Sequence, residues 1–273
     1  MMDTFFANRE DMIDIIVTGY PKSGNTWVTR LVADLAGCPV VGFINSDHDE
    51  IACEGFDRKS HFQCFKSHHQ LDELLNIKSN TKKVIYVIRD PRDICLSGAN
   101  YFRIERWPLL GRLFRRMPGG DSIYLWFHKL LPCTPNYRFK RMAQAVIYGS
   151  WEVHYWVRVS WATHYKPYLE KQYFFVKYED LISDPELECK RIIRFLGIER
   201  DDSQIKAAIE RQSFDNKKQE FISKGQLAKA NFMRAGRGQQ WKQKLSKDQK
   251  KMFRNALANE LNQLGYPVND SDV

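Results

Sequence analysis

"DIIVTGYPKSGNTWVTRLVADLAG", residues 14–37, decides the fold. Residues 14–18, centred on Ile15, Ile16 and Val17, read as a short buried strand. "TWVTRLVADLAG" reads as a helix, with Trp27, Leu31 and Leu35 on one face and Gly37 at its end. Between them lies a glycine-bounded turn. Gly19 and Gly24 have the spacing of the nucleotide-triphosphate loop G-x-x-x-x-G-K-[ST], and Thr26 holds its hydroxyl position. Asn25, however, stands where the loop lysine belongs, and a lysine comes three residues earlier, at Lys22. Glycines let backbone N–H groups approach an anion, and the helix beginning near Thr26 adds its positive end. Lys22, Ser23 and Thr26 supply side-chain donors. An ordinary strand–turn–helix connection is the plain alternative. The agreement of strand, spacing and helix favours anion binding.

Working outward, "KKVIYVIRD" (82–90) reads as a second strand, rich in β-branched residues, and "PRDICLSGANYF" as a helix with Pro91 suited to its first turn. "QYFFVKYEDL" (172–181) holds a third strand. "SDPELECKRIIRFLG" (183–197) is a helix in which Asp184 caps, Pro185 starts and Gly197 stops. This alternation predicts an α/β fold, a central and mainly parallel sheet flanked by helices, in a single domain over 1–273. Ligands of such sheets bind at the carboxyl ends of the strands. The loop of 19–26, Arg89 and the Tyr178–Glu179 pair all fall there and are expected to share one site. Residues 103–148, basic and aromatic, read as an elaboration forming a wall or lid of the acceptor pocket.

Composition narrows the partners without choosing among them. The 273 residues carry 42 Lys+Arg against 33 Asp+Glu, a net charge of +9. A basic excess attracts nucleic acid, acidic membrane or a polyanionic small molecule. The six cysteines form no C-x-x-C pair, and reduced thiols in a cytoplasm are the expectation. "MMDTFFANREDM" does not read as a signal peptide, and no apolar run approaches the ~20 residues of a spanning helix. No cluster of metal-ligand spacing occurs, so no metal is expected.

At this point five motifs stand in register. "YPKSGNTW" resembles the 5′-phosphosulfate loop of the cytosolic-type sulfotransferases, which use 3′-phosphoadenosine 5′-phosphosulfate (PAPS). "YVIRDPRDICLS" (86–97) resembles their 3′-phosphate motif, and "FMRAGRGQQWKQKLS" (232–246) their C-terminal nucleotide motif. "FKSHH" (65–69) is similar to the family's lysine-x-histidine strand, and "YEDL" and "FLGI" to later landmarks. Together they span about residues 14–246.

The resemblance implies a role for each matched position. Lys22, Ser23, Gly24, Asn25 and Thr26 hold the 5′-phosphosulfate. Arg89 and Ser97 take the 3′-phosphate, with Arg234, Ala235 and Gly236 closing over it; Ala235 departs from the family's usual lysine. Trp27, Tyr178, Ser213 and Phe214 contact adenine. His68 is the general base, chosen over the neighbouring His69 by the match of Lys66-Ser67-His68, and Lys66 steadies charge at the sulfuryl group. On a strand the two imidazoles would face opposite ways. Gln70 stands where the family often has proline. Lys22, Lys66, His68 and Ser97 form the catalytic set. The displaced lysine then has a physical reading: charge develops on the departing phosphate oxygen, and Lys22 can donate to it.

The resemblance also implies that the acceptor is a small molecule. "NSDHDEIACEGFD" (45–57) is an acidic run inside a basic protein. It is either a solvated loop or, through Asp47, Asp49 and Glu50, a pocket wall for a cationic amine or guanidinium compound of the saxitoxin-alkaloid kind. Trp151 and His154 are candidates for the opposite wall, or for plain packing. A flat phenol or sterol entering past 103–140, or a membrane or carrier contact of that segment, also stays open. A P-loop kinase and a non-catalytic nucleotide- or nucleic-acid-binding protein are the competing classes. Asn25 at the lysine position speaks against the first, and the dispersal of the basic residues among phosphate motifs against the second. "KDQKKMFRNALANELNQLGY" (247–266) reads as an amphipathic helix without the family's dimer motif, so monomer and homodimer both stand.

Overall fold

The computed structural model describes residues 12–45, 52–78, 82–105, 113–114, 116–130, 133–232 and 237–268. The chain begins β1 Ile13–Thr18, α1 Asn25–Ala36, β2 Val40–Phe43, β3 Phe62–Lys66, α2 Leu71–Asn76, β4 Lys82–Ile88 and α3 Pro91–Tyr101. It continues with α4 Gly120–Leu130, α5 Pro135–Tyr148, a 3₁₀ turn Tyr155–Val157, α6 Trp161–Glu170 and β5 Phe174–Lys177. There follow α7 Tyr178–Ser183, α8 Pro185–Leu196, α9 Asp202–Arg211, α10 Phe214–Ser223, α11 Leu227–Phe232, α12 Trp241–Lys244 and α13 Lys247–Gln263.

The five strands form one sheet in the order β2-β3-β1-β4-β5, and every pairing is parallel. The α/β architecture read from the sequence is therefore present. β1 lies at its centre, so Ile15, Ile16 and Val17 are fully buried, as a strand covered on both faces must be. One face packs Ile15, Val17, Ile85 and Val87 against Val28, Leu31 and Leu35 of α1 and Ile192 and Leu196 of α8. On β4, Tyr86 packs against Phe175 of β5 and Tyr168, with ring centroids 4.8 and 4.7 Å apart. The chain leaves β1 toward β2 and β3 on one side and returns to β4 on the other. The loop after β1 therefore sits at a topological switch point.

Two compact units are distinguished: residues 1–89 with 165–239, and 90–164 with 240–273. The first holds the whole sheet. In the second, α3 packs on α5. A Cβ on Gly98 would come within 2.5 Å of the Met142 side chain, so glycine sets how near these helices lie. Asp90 caps α3 and pairs with Arg92, both 2% exposed, at 2.7 Å. The Arg92 guanidinium lies 3.4 Å from the Trp241 ring centre, and the Trp241 backbone N–H donates to the Asp93 carboxylate at 2.9 Å.

Candidate active site

The glycine-framed turn is shaped by close packing as much as by freedom of backbone. A Cβ on Gly19 would meet the Val87 carbonyl oxygen at 2.4 Å. Gly24 has φ +99°, and a Cβ there would enter the Tyr178 ring at 2.5 Å. Lys22, with φ +72°, occupies the left-handed region without being glycine. Such residues store strain and persist only when neighbours fix them. Here Ser23 N–H donates to the Tyr20 carbonyl at 3.1 Å, and Arg89 Nη1 donates to the Lys22 carbonyl at 3.1 Å. Ser23 is fully buried, and its hydroxyl has no hydrogen-bond partner among the described residues.

Arg89 joins three pieces of the first unit. It is 7% exposed, its Nη2 donates to the Arg237 carbonyl at 3.1 Å, and its guanidinium lies 4.1 Å from the Tyr178 ring centre. Trp27 meets the same Tyr178 ring edge-on, at 5.6 Å, and donates its indole N–H to the Gln212 carbonyl at 2.8 Å. Ser213 caps α10, and Phe214 is its first residue, so that hydrogen bond brings the segment carrying both to Trp27.

The histidine segment differs from the expected strand. β3 ends at Lys66, and 67–70 have left the sheet. Ser67 N–H still donates to the Val17 carbonyl, but Ser67 Oγ then accepts from His69 N–H at 3.1 Å, which turns the chain. His68 and His69 consequently both lie against Phe43, at 5.7 and 5.6 Å, rather than on opposite faces. Lys66 Nζ is 6.0 Å from the same ring. His68 Nδ1 is 2.8 Å from the Gly19 carbonyl oxygen and 2.9 Å from Asn25 Nδ2. Asn25 Nδ2 donates to the Gly19 carbonyl at 2.8 Å and to the Ser67 carbonyl at 3.2 Å. At Gln70, the backbone N–H donates to Glu73, opening α2 where the family often has proline.

A sulfotransferase domain model matches residues 12–265. The chain belongs to the sulfotransferase family. It is 23% identical to human sulfotransferase 2A1, covering 93% of this chain and 86% of that one. It is 27% identical to cattle sulfotransferase 1A1, covering 88% and 80%. The structure resembles that of mouse sulfotransferase SULT7A1 complexed with PAP, with a TM-score of 0.62 at 20% identity over 93% of this chain and 85% of that one. This sulfotransferase is thus a PAPS-dependent transferase of the class that the motifs implied.

Of the expected site, the first unit holds Lys22, Ser23, Gly24, Asn25, Thr26, Trp27, Lys66, His68, Arg89, Tyr178, Ser213 and Phe214, and the contacts above join the stretch of 22–27 to Arg89, Tyr178, His68 and the start of the segment carrying Ser213 and Phe214. Ser97 lies in the second unit, half-buried on α3. So do Trp151, which is 66% exposed, and His154, which caps the 3₁₀ turn by accepting from Trp156 N–H at 3.2 Å. Arg158 sits 4.1 Å from the Tyr155 ring centre and 5.5 Å from that of Trp151. Asp47, Asp49, Glu50, Arg234, Ala235 and Gly236 lie outside the described residues. No group of three or more metal-ligating side chains occurs among the described residues, and no described helix is long and apolar enough to cross a membrane.

Two features escaped the sequence. One is Asn25, whose amide engages protein acceptors. The other is a buried ion network that reaches Gln212, next to Ser213 and Phe214. Glu54 pairs with Lys217 at 2.7 Å and with Arg30 at 3.5 Å, and accepts from Gln212 Nε2 at 2.9 Å. Asp34 accepts from both Gln212 and Arg211. Burial opposes its charge, yet these hydrogen bonds and the Arg211 and Arg58 charges hold its pKa below the ordinary value. Glu54 belongs to the acidic run of 45–57, so that member is spent inside the protein. Partners this far apart in sequence leave no local signal.

Proposed function

We propose that residues 1–273 act as a single sulfotransferase domain that passes a sulfuryl group from PAPS to a hydroxyl, or to an amine or guanidine nitrogen, of a small-molecule acceptor. His68 is the general base of an in-line displacement. The observation that supports this most directly is a contact: the His68 imidazole lies on the Gly19 carbonyl, the first carbonyl of the turn that carries Lys22. The base thus contacts the same short turn that carries the Lys22 cation.

The residues fit the donor. The buried Ser23 hydroxyl lacks a partner among the described residues, as a ligand-facing group would. The Gly24 surface against Tyr178 has no room for a side chain. The backbone at Ser23–Thr26 and the Ser23 and Thr26 hydroxyls hold the 5′-phosphosulfate at the start of α1. Arg89 and Ser97, with Arg234, Ala235 and Gly236, hold the 3′-phosphate; the Arg fork suits phosphate oxygens. Trp27, Tyr178, Ser213 and Phe214 take adenine. When bound, the donor supplies the sulfuryl group and leaves as adenosine 3′,5′-bisphosphate. Lys22 neutralises the charge that builds on the leaving oxygen, and Lys66 the charge at sulfur. His68 removes the acceptor's proton, a task histidine performs near neutral pH. Asp47, Asp49, Glu50, Trp151 and His154 line the acceptor pocket, which favours a cationic acceptor. We place the enzyme in the cytoplasm, as a monomer or homodimer.

A screen with radiolabelled PAPS against amines, guanidines, phenols and sterols tests the reading. Transfer to at least one class, abolished in Lys22→Ala, is expected. Binding of adenosine 3′,5′-bisphosphate with no transfer to any class would overturn it.

A further inference from the structure

We infer that Asn25 is a positioning residue that fixes which imidazole nitrogen of His68 bears the lone pair. The inference rests on His68 being the base. The Gly19 carbonyl oxygen, Asn25 Nδ2 and His68 Nδ1 form a triangle with sides of 2.8, 2.9 and 2.8 Å. The Ser67 carbonyl lies 3.2 Å from the same amide nitrogen. Both carbonyls can only accept. Reversing the Asn25 amide would turn its oxygen onto them, so the NH₂ end faces the cluster.

Proton counting then decides the tautomer. The two Asn25 hydrogens go to Gly19 O and Ser67 O. The second lone pair of Gly19 O meets His68 Nδ1 and is matched only by an N–H there. If Nδ1 instead accepted from Asn25, its lone pair would face a carbonyl oxygen at 2.8 Å, and one carbonyl would lose its donor. Burial makes such unmatched groups costly, ~1–3 kcal/mol each, and Asn25 is 2% exposed. Neutral His68 is therefore protonated at Nδ1, and Nε2 carries the lone pair. Taking up the acceptor's proton at Nε2 requires no change at Nδ1.

Asn25 is itself held. It opens α1, and Thr29 Oγ donates to its carbonyl at 2.7 Å. The position that carries lysine in a triphosphate loop is used here to anchor the base, and the charge sits at Lys22 instead.

The test has two parts. In the wild-type protein, ¹⁵N-resolved NMR of the histidine rings, with His68 assigned by its loss in His68→Ala, is expected to show a pyrrole-type Nδ1. An Nε2–H tautomer would overturn the inference, and this needs no variant to fold. In the second part, Asn25→Ala is expected to lower kcat about 10- to 100-fold while changing affinity for adenosine 3′,5′-bisphosphate less than about 3-fold. In a His68→Ala background the same change is expected to cost nothing further. An undiminished penalty in that background would show that Asn25 acts elsewhere, for instance on the phosphosulfate. Full activity of His68→Ala would instead sink the base reading, and with it this positioning role, whatever the tautomer.

Discussion

Lys22 has two tasks that a single substitution can separate. In the proposed mechanism its side chain supplies the cation, and its backbone is held at φ +72° with Arg89 on its carbonyl. A non-glycine residue in this conformation costs of order 1–3 kcal/mol. Lys22→Gly is therefore expected to leave the melting temperature unchanged or raised while transfer falls at least about 100-fold. A parallel fall in stability would mean the ammonium anchors the fold. At the same scale, His68→Ala is expected to lower kcat by about 10²–10⁴-fold and spare affinity for adenosine 3′,5′-bisphosphate. Arg89→Ala is expected to weaken that affinity, read by calorimetry. Lys22, Arg89 and His68 could be singled out in the sequence because each sits in a motif with fixed neighbours. The contacts of the Asn25 amide could not be, because its acceptors, Gly19 and Ser67, come together only when β1 and β3 pair.

At the scale of elements, the helix signals were faithful. Asp184 does cap α8, accepting from Leu187 N–H at 3.0 Å, and Gly197 does end it in the left-handed region. β4 and β5 lie inside the stretches read as strands, and β1 begins one residue before its stretch, at Ile13. β2 was not read: it has four residues, one of them glycine, and its register with β3 shifts between Val40 and Gly42. Over so short a run, periodicity carries little. The histidine segment misled for a related reason: alternation does not reveal where Ser67 turns the chain. Two glycines in the same left-handed region make a controlled comparison. Nothing lies within 4 Å of a Cβ added at Gly197, so Gly197→Ala is expected to cost about 1 kcal/mol with activity intact. Gly24→Ala adds a collision with Tyr178 and is expected to cost clearly more and to lower nucleotide affinity. Denaturant unfolding and nucleotide titration of the two variants make the check; equal effects would mean that the Tyr178 contact yields easily.

For the whole molecule, composition set the basic charge and the thiol state but not the division into two discontinuous units, nor the ion network joining Arg30, Glu54 and Lys217. Both depend on which distant segments meet. The thiols give the broadest prediction. Cys38, Cys64, Cys95 and Cys189 are buried, while Cys53 and Cys133 are partly exposed. Burial pushes the Cys38 and Cys189 thiols up to about 12 from an ordinary 9.0, and those of Cys64 and Cys95 well above it. The native state thus keeps its protons at pH values where the unfolded chain releases them. Stability is fully present below the unfolded value near 9 and is lost as pH rises toward 12. Tyr86, raised chiefly by burial, adds the same sign above its ordinary 10.0. Urea midpoints are expected to hold from about pH 7 to 8.5 and to fall progressively by about pH 10.5. A thiol reagent at about pH 8 should label Cys53 and Cys133 quickly, and the buried four only after unfolding. Rapid labelling of all six in the native protein would show that the sheet's core opens locally, and the alkaline loss of stability would then shrink with it.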